Sequence, residues 1–157
     1  MSSIGPGIEE RSEEGGTEDW AEGGCHCGDV RFRVRLRHRR LIRCSCSICT
    51  KKGFLGLIVP ASDFRLDRGA DALATYRFNT RAAEHRFCRT CGIHPFSRPR
   101  SHPDGFDVNA RCLDLWPEAT AGTAAGAAGD EGGRRFGEWE IQDFDGRNWE
   151  ANVDTIR

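Results

Sequence analysis

Hydrophobic and polar residues alternate without a break along residues 29–37. The apolar positions are Val30, Phe32, Val34 and Leu36, and the residues between and after them are Arg31, Arg33, Arg35 and Arg37. A period of two places the apolar side chains on one face of a strand and the arginines on the other. The pattern therefore predicts a half-buried strand. The arginine face is either the ordinary solvated face of that strand or an anion site for carboxylates or phosphates.

Several shorter apolar runs, separated by turn residues, predict further strands. These runs cover residues 54–59, 64–66, 74–78, 84–87 and 106–110. Many short strands at close spacing are typical of an all-β domain. Residues 149–153 are predicted to form one short helical turn.

Composition divides the chain into an ordered part and two segments without a core pattern. Residues 1–18 are acidic and Gly-rich with few apolar side chains, which predicts a disordered tail. Residues 117–135 contain an Ala/Gly-rich stretch, which predicts a flexible loop. The remaining chain, 19–157, is predicted to be a single zinc-binding domain that carries this loop.

Charge and hydropathy exclude several classes of protein. The chain of 157 residues has a formal net charge of -1, so no global positive charge favours nucleic acid. The longest apolar stretch, 54–61, is too short to span a membrane, and no secretory signal is visible. We therefore expect a cytoplasmic protein, in which thiols stay reduced and clustered cysteines favour metal binding over disulfides.

Two close cysteine pairs predict a closed zinc site. They are Cys25 with Cys27 and Cys88 with Cys91, and the second pair is followed by Gly92. Pairs at these spacings let two sulfurs reach one ion from the same turn, and four sulfurs complete the tetrahedron that zinc prefers. Such a site leaves no position for substrate. A structural zinc that ties distant segments together is therefore predicted.

Three further cysteines, Cys44, Cys46 and Cys49, lie within six residues and predict a second zinc site on a loop. Three protein ligands and one open position are typical of a catalytic zinc, and a soft ligand such as a substrate thiol suits the open position. The alternative is that Cys112 is the fourth ligand and the site is closed. A place for Cys112 in the core is favoured over that alternative, because cysteine is among the most buried residue types.

The cysteine motifs resemble those of the glutathione-dependent formaldehyde-activating enzyme family, which includes the centromere protein V domain. The matching segments are Gly24-Cys-His-Cys-Gly-Asp-Val-Arg-Phe32, Cys44-Ser-Cys-Ser-Ile-Cys49 and Phe87-Cys-Arg-Thr-Cys-Gly-Ile-His-Pro-Phe96. The resemblance implies an Mss4-like fold of short antiparallel strands with two zinc ions per chain. It also implies that the pairs hold a structural zinc and the triplet a more labile one.

Two functions are compatible with this pattern. The first is a zinc-dependent carbon–sulfur lyase that acts on the adduct of a glutathione-type thiol and a small aldehyde. The second is a non-catalytic zinc module that binds a protein or a nucleic acid, although the arginine face lacks the interleaved aromatic residues of a single-strand binder. Beyond the triplet, His94, Arg98 and Arg100 are candidates for the pocket, whereas His26 is expected at the surface.

Overall fold

The computed structural model describes residues 19–116 and 139–157, and within these residues it contains ten strands and two short helices. The strands are β1 (Trp20–Gly24), β2 (Arg31–Arg35), β3 (Arg40–Cys44), β4 (Gly56–Pro60), β5 (Phe64–Arg68), β6 (Leu73–Tyr76), β7 (Glu84–Cys88), β8 (Phe96–Arg98), β9 (Gly105–Asn109) and β10 (Glu140–Phe144). The helices are α1 (Ser47–Lys52) and α2 (Trp149–Asn152), and short 3-10 turns lie between some strands.

The strands form two sheets. The smaller sheet has the order β1-β2-β5, and the larger has the order β10-β3-β4-β9-β8-β7-β6. All neighbouring strands are antiparallel except β3 and β10, which pair in parallel. The all-β prediction is confirmed. The parallel pair brings the segment after β10 beside the segment after β3, and this matters for the cysteine triplet at the end of β3.

Four phenylalanines join the two sheets. Phe32 and Phe64 come from the smaller sheet, and Phe96 and Phe106 come from the larger one. The ring centroids lie 5.6 Å apart for the first pair and 4.5 Å apart for Phe64 and Phe106. Aromatic pairs at such distances bury large areas and add directional contacts. The core of the domain therefore lies between the sheets.

The hydrophobic pattern predicts six of the strands within two or three residues, namely β2, β4, β5, β6, β7 and β9. It misses β1, β3, β8 and β10. In β1, Gly23 and Gly24 give no strand signal, but a Cβ on Gly23 would lie 2.6 Å from the Cys112 carbonyl oxygen, so Gly23 permits close packing. The predicted helical turn at 149–153 is observed as α2. The triplet was expected on a loop, whereas part of it lies in α1.

Two predicted segments lie outside the described residues. The acidic tail at 1–18 is one, and the Ala/Gly-rich loop at 117–135 is the other. The single-domain assignment for 19–157 thus stays a prediction. Within the described residues, no helix is long and apolar enough to cross a membrane.

Several arginines in and near β2 and β3 pair with aspartates, whereas Arg35 stacks on Trp20. Arg33 lies 2.9 Å from Asp67 and keeps only 13% of its side chain exposed. The other pairs are Arg31 with Asp114, Arg37 with Asp63 and Arg43 with Asp143. Each pair cancels charge locally. This surface therefore offers less positive charge to a nucleic acid than the sequence suggests.

Candidate metal centres and adjoining cavity

The first cysteine group has the geometry of a tetrahedral metal site. The sulfurs of Cys25, Cys27, Cys88 and Cys91 all lie within 4.8 Å of one another. The Sγ–Sγ distance is 3.6 Å from Cys25 to Cys27 and 3.7 Å from Cys27 to Cys88. Four sulfurs about 2.3 Å from a central zinc would be about 3.8 Å apart. The four thiols fit a zinc ion, and this group can hold a metal.

The backbone shapes both halves of this group. The Val30 N–H donates to the Cys25 sulfur at 3.3 Å, and Gly28 follows Cys27 with a φ of 86° that favours glycine. In the other half, Gly92 has a φ of 79° and its N–H donates to the Cys88 carbonyl oxygen at 2.8 Å. A hydrogen bond from Thr90 to Asp29 at 2.9 Å links the two turns.

This four-cysteine group connects the two sheets. Cys25 and Cys27 follow β1 in the smaller sheet, whereas Cys88 ends β7 in the larger sheet and Cys91 follows it. An ion bound here would fix segments more than 60 residues apart in sequence. The position suits a structural role.

The second group, Cys44, Cys46 and Cys49, brings three sulfurs within 4.8 Å of one another. Cys44 ends β3, Cys46 caps the N-terminus of α1, and Cys49 lies inside that helix. The Cys46 N–H donates to the Cys44 sulfur, and the Cys49 N–H donates to the Cys46 sulfur, both at 3.4 Å. Hydrogen bonds from Cys44, Cys49 and the backbone lower the pKa of Cys46, which favours a thiolate. This group can also hold a metal.

A glycine from the far end of the chain packs on the triplet. Because β10 runs parallel to β3, the residues after β10 pass directly over the residues after β3. A Cβ on Gly146 would lie 2.3 Å from the Cys44 sulfur and 2.9 Å from the Cys46 Cβ. Only a residue without a side chain permits this approach. The close packing of Gly146 on the sulfur indicates that the surrounding chain holds the triplet in a defined geometry.

We expect Gly146→Ala to weaken metal retention at the triplet. The added methyl group must displace the Cys44 sulfur, and disturbing the surroundings of a metal site costs roughly 10- to 100-fold in affinity. Titration with a competing chelator would measure the change. The control is Gly53→Ala, since a Cβ there meets nothing within 4 Å although φ is 63°. Equal metal loss in both variants would show that backbone strain controls retention, and would contradict the role of Gly146.

Cys112 lies near the four-cysteine group but is a member of neither group. Its sulfur belongs to neither set of clustered ligands, and its thiol contacts the His94 carbonyl oxygen at 3.8 Å. Burial raises the pKa of Cys112 to about 12, so its thiol stays protonated. The structure therefore favours Cys112 as a core thiol and leaves the triplet with three sulfurs.

The triplet lies in the wall of a cavity of about 570 Å³, which α1, the larger sheet and the C-terminal segment enclose. Its apolar walls include Ile42, Ile48, Ile58 and Phe144. Arg100 lies on another wall, ion-paired with Glu150 at 3.1 Å and stacked on Trp149. A cavity of this size accommodates a small organic molecule beside the thiols.

Three polar side chains in the same cavity form what we call the polar arm: Lys52, His85 and Asp107. The Lys52 ammonium lies 3.1 Å from His85 Nδ1 and 4.5 Å from the centre of the Phe54 ring. Asp107 extends over Gly56, where a Cβ would lie 2.3 Å from its Oδ1. Buried polar groups beside a candidate metal centre are typical of sites that handle protons.

Burial perturbs all three groups of the polar arm. It raises the pKa of Asp107 to about 7, although the nearby Lys52 acts in the opposite direction. Burial, followed by the charge of Lys52, lowers the pKa of His85 to about 4, so His85 is neutral near pH 7 and its Nδ1 can accept from Lys52. Burial also lowers the pKa of Lys52.

Sequence reasoning did not single out the polar arm. Asp107 alternates with apolar residues in β9, and such a position usually points to solvent. Of the histidines and arginines that were considered, Arg100 lines the cavity, whereas Arg98 stacks on Phe106. His94 packs against Phe87, and His26 is exposed. One sequence signal could have pointed to the polar arm: Lys52 follows Cys49 by three residues, which places a cation close to the triplet.

Comparison with known proteins places the sequence in one family. The model of the glutathione-dependent formaldehyde-activating enzyme family matches residues 20–125. A curated relative, a "putative glutathione-dependent formaldehyde-activating enzyme" from Halomonas elongata, is 33% identical over 98 aligned residues. That match covers 48% of this chain and 62% of the relative, which is less than two thirds of the relative's length.

A solved structure shares the fold. The crystal structure of a Rhodobacter sphaeroides protein superposes with a TM-score of 0.59 at 35% identity, covering 77% of this chain and 99% of that one. The family match includes all the cysteines of both groups, and the structure gathers those cysteines into two clusters that can hold metal ions. The chain belongs to the glutathione-dependent formaldehyde-activating enzyme family.

Proposed function

We propose that this protein is a zinc-dependent carbon–sulfur lyase that forms or cleaves the adduct of a glutathione-type thiol and a small aldehyde. The observation that carries the proposal is a group of three thiols in the wall of an open cavity, with no fourth cysteine clustered beside them among residues 19–116 and 139–157. The family membership supports the choice of thiol and aldehyde.

The donor sets support two zinc ions per chain. Thiolates are soft ligands, and a set of four is typical of structural zinc, whereas a set of three leaves a position for a reacting group. We assign Cys25, Cys27, Cys88 and Cys91 to the structural ion, and Cys44, Cys46 and Cys49 to the second ion. When bound at the triplet, zinc would lower the pKa of a coordinated thiol and keep it as a thiolate at neutral pH.

The residues of the chain provide the rest of the site. The apolar walls around Ile48 and Ile58 exclude water from the thiol and from the small aldehyde. Arg147 lies at the rim, where its Nε donates to the Ser45 carbonyl oxygen at 3.0 Å, and Arg100 lies on another wall. The guanidinium of Arg147 offers positive charge to a carboxylate of a glutathione-type thiol, and Arg100 can do so when it exchanges its Glu150 partner for a substrate carboxylate.

Binding of a thiol at the triplet can be tested with the protein reconstituted with Co²⁺. We expect added glutathione to change the thiolate-to-cobalt absorption of the wild type in a saturable way. We also expect the wild type to accelerate exchange between formaldehyde and its glutathione adduct, measured by NMR. Cys46→Ser should lose both effects, because it removes one sulfur of the triplet.

Two outcomes would contradict the proposal. One is an absorption spectrum of the wild type that glutathione does not change. The other is adduct exchange at the uncatalysed rate. S-methylglutathione serves as the matched control ligand, since it has the same carboxylates but no thiol to coordinate.

A further inference from the structure

The carboxyl group of Asp107 has an unfilled hydrogen-bonding position in the cavity. Its Oδ1 is buried and has no hydrogen-bond partner among the described residues. Well over nine-tenths of buried polar groups in proteins have such a partner. Asp107 lines the same cavity as the triplet, so a group of a bound molecule can supply the missing hydrogen bond.

The fold maintains the position of this carboxyl group. Asp107 pairs with Ile58 of β4 and with Ser97 of β8, so β9 is held on both sides. Gly56, two residues before Ile58, leaves the space that the carboxyl group occupies. A residue held by a central strand is more precisely placed than one on a loop.

The charged and titratable groups around Asp107 come from several elements. They are Lys52 on α1, the Cys46 thiol just before α1, His85 on β7, Arg100 after β8, and Arg147 and Glu150 near α2. Burial is the largest influence on Asp107, and it favours the protonated carboxyl group up to about pH 7. Asp107 can therefore both donate and accept a proton near neutral pH.

We propose that Asp107 is the acid–base residue for the oxygen atom of the aldehyde and its adduct, and that Lys52, held by His85, positions that oxygen. This inference rests on the proposed function and names the residues that serve it. The ammonium of Lys52 is a hydrogen-bond donor beside the triplet, and His85 Nδ1 fixes its direction at 3.1 Å.

The proton transfer balances in both directions. In the addition, the thiolate sulfur forms a bond to the aldehyde carbon, and the electron pair of the C=O π bond moves to oxygen. That oxygen takes the proton of the Asp107 carboxyl group, and the carboxylate regains a proton from solvent. In the cleavage, the Asp107 carboxylate accepts the hydroxyl proton as the C–S bond breaks and the thiolate leaves.

Asp107→Asn tests this role. We expect kcat for adduct exchange to fall by about 10²- to 10⁴-fold, as for the loss of a general acid or base, with little change in KM for the thiol. We also expect the kinetic titration near pH 7 that the carboxyl group produces in the wild type to disappear. Cobalt absorption should still respond to glutathione, because the triplet is intact.

The two lysines of the chain provide a matched pair for the positioning role. Lys51 is exposed and Lys52 lines the cavity, and both are in α1. We expect Lys52→Met to raise the pH of that kinetic titration, since the nearby cation lowers the pKa of Asp107. Lys51→Met should leave it unchanged. Infrared titration of the carboxyl C=O band, compared with Asp107→Asn, would measure the same pKa without turnover.

The outcomes separate this inference from the proposed function. A wild type that does not bind glutathione or exchange the adduct would overturn both. An active wild type together with an Asp107→Asn variant within about threefold of its kcat would overturn the inference alone. If Asp107→Asn fails to fold, infrared titration of the wild type against Lys52→Met decides. The role would be overturned by the absence of a carboxyl band that titrates near pH 7, or by such a band that Lys52→Met does not shift.

Discussion

Cys88→Ser is expected to unfold the protein or cause it to aggregate. Cys88 ends a strand of the larger sheet, and its sulfur lies 3.7 Å from that of Cys27, which follows the smaller sheet. Structural zinc contributes roughly 10–16 kcal/mol of apparent binding energy in small zinc domains, and that energy stabilises only the folded chain. A typical domain has about 5–15 kcal/mol of total stability, so most of it depends on an intact site.

Thermal melting and zinc content of the purified variant would test this expectation, and Cys25→Ser should behave in the same way. The control is His26→Ala, because that exposed side chain lies between two of the cysteines and outside the thiol cluster. It should melt like the wild type. A soluble Cys88→Ser variant with an unchanged melting temperature and full zinc content would contradict the assignment of a structural site.

Cys49→Ser is expected to lower the zinc content from about two per chain to about one while the fold survives. Two remaining sulfurs bind the ion much less tightly than three. The three cysteines lie within one short segment, so their ion closes only a small loop and ties little of the chain together. We therefore expect loss of adduct exchange with a small change in melting temperature.

The comparison with Cys112→Ser makes this test decisive. Cys112 lies outside both clusters and hydrogen-bonds to a backbone carbonyl, so its loss should leave both ions in place. If Cys112→Ser removes the second zinc as completely as Cys49→Ser does, four sulfurs close the site. The proposal of an open position for a substrate thiol would then be wrong.

The sequence by itself determined the chemistry of the cysteines and the class of fold. Pairs of cysteines two or three residues apart are gathered by local turns, so their spacing already predicts both clusters. The alternation of apolar residues and arginines in β2 likewise predicts a half-buried strand, because successive side chains of a strand point to opposite faces. Each of these features is visible in a short stretch of sequence, although the two cysteine pairs meet only in the fold.

The position of β10, and of Gly146 after it, was revealed only by the tertiary structure. β10 has only one buried residue, Phe144, so its sequence lacks the alternation that marks a strand. Its pairing with β3, about 100 residues earlier, brings Gly146 against Cys44. No local pattern specifies such a contact.

The polar arm was also decided only by the tertiary structure. Lys52, His85 and Asp107 come from α1, β7 and β9, and each alone has the sequence appearance of an ordinary surface residue. Sheet packing buries them together, and burial then shifts their pKa values. The metal ligands could be predicted because each pair or triplet of cysteines has a recognisable local spacing, although the fold is needed to bring the two pairs together. The groups of the polar arm have no such local spacing and become neighbours only in the folded protein.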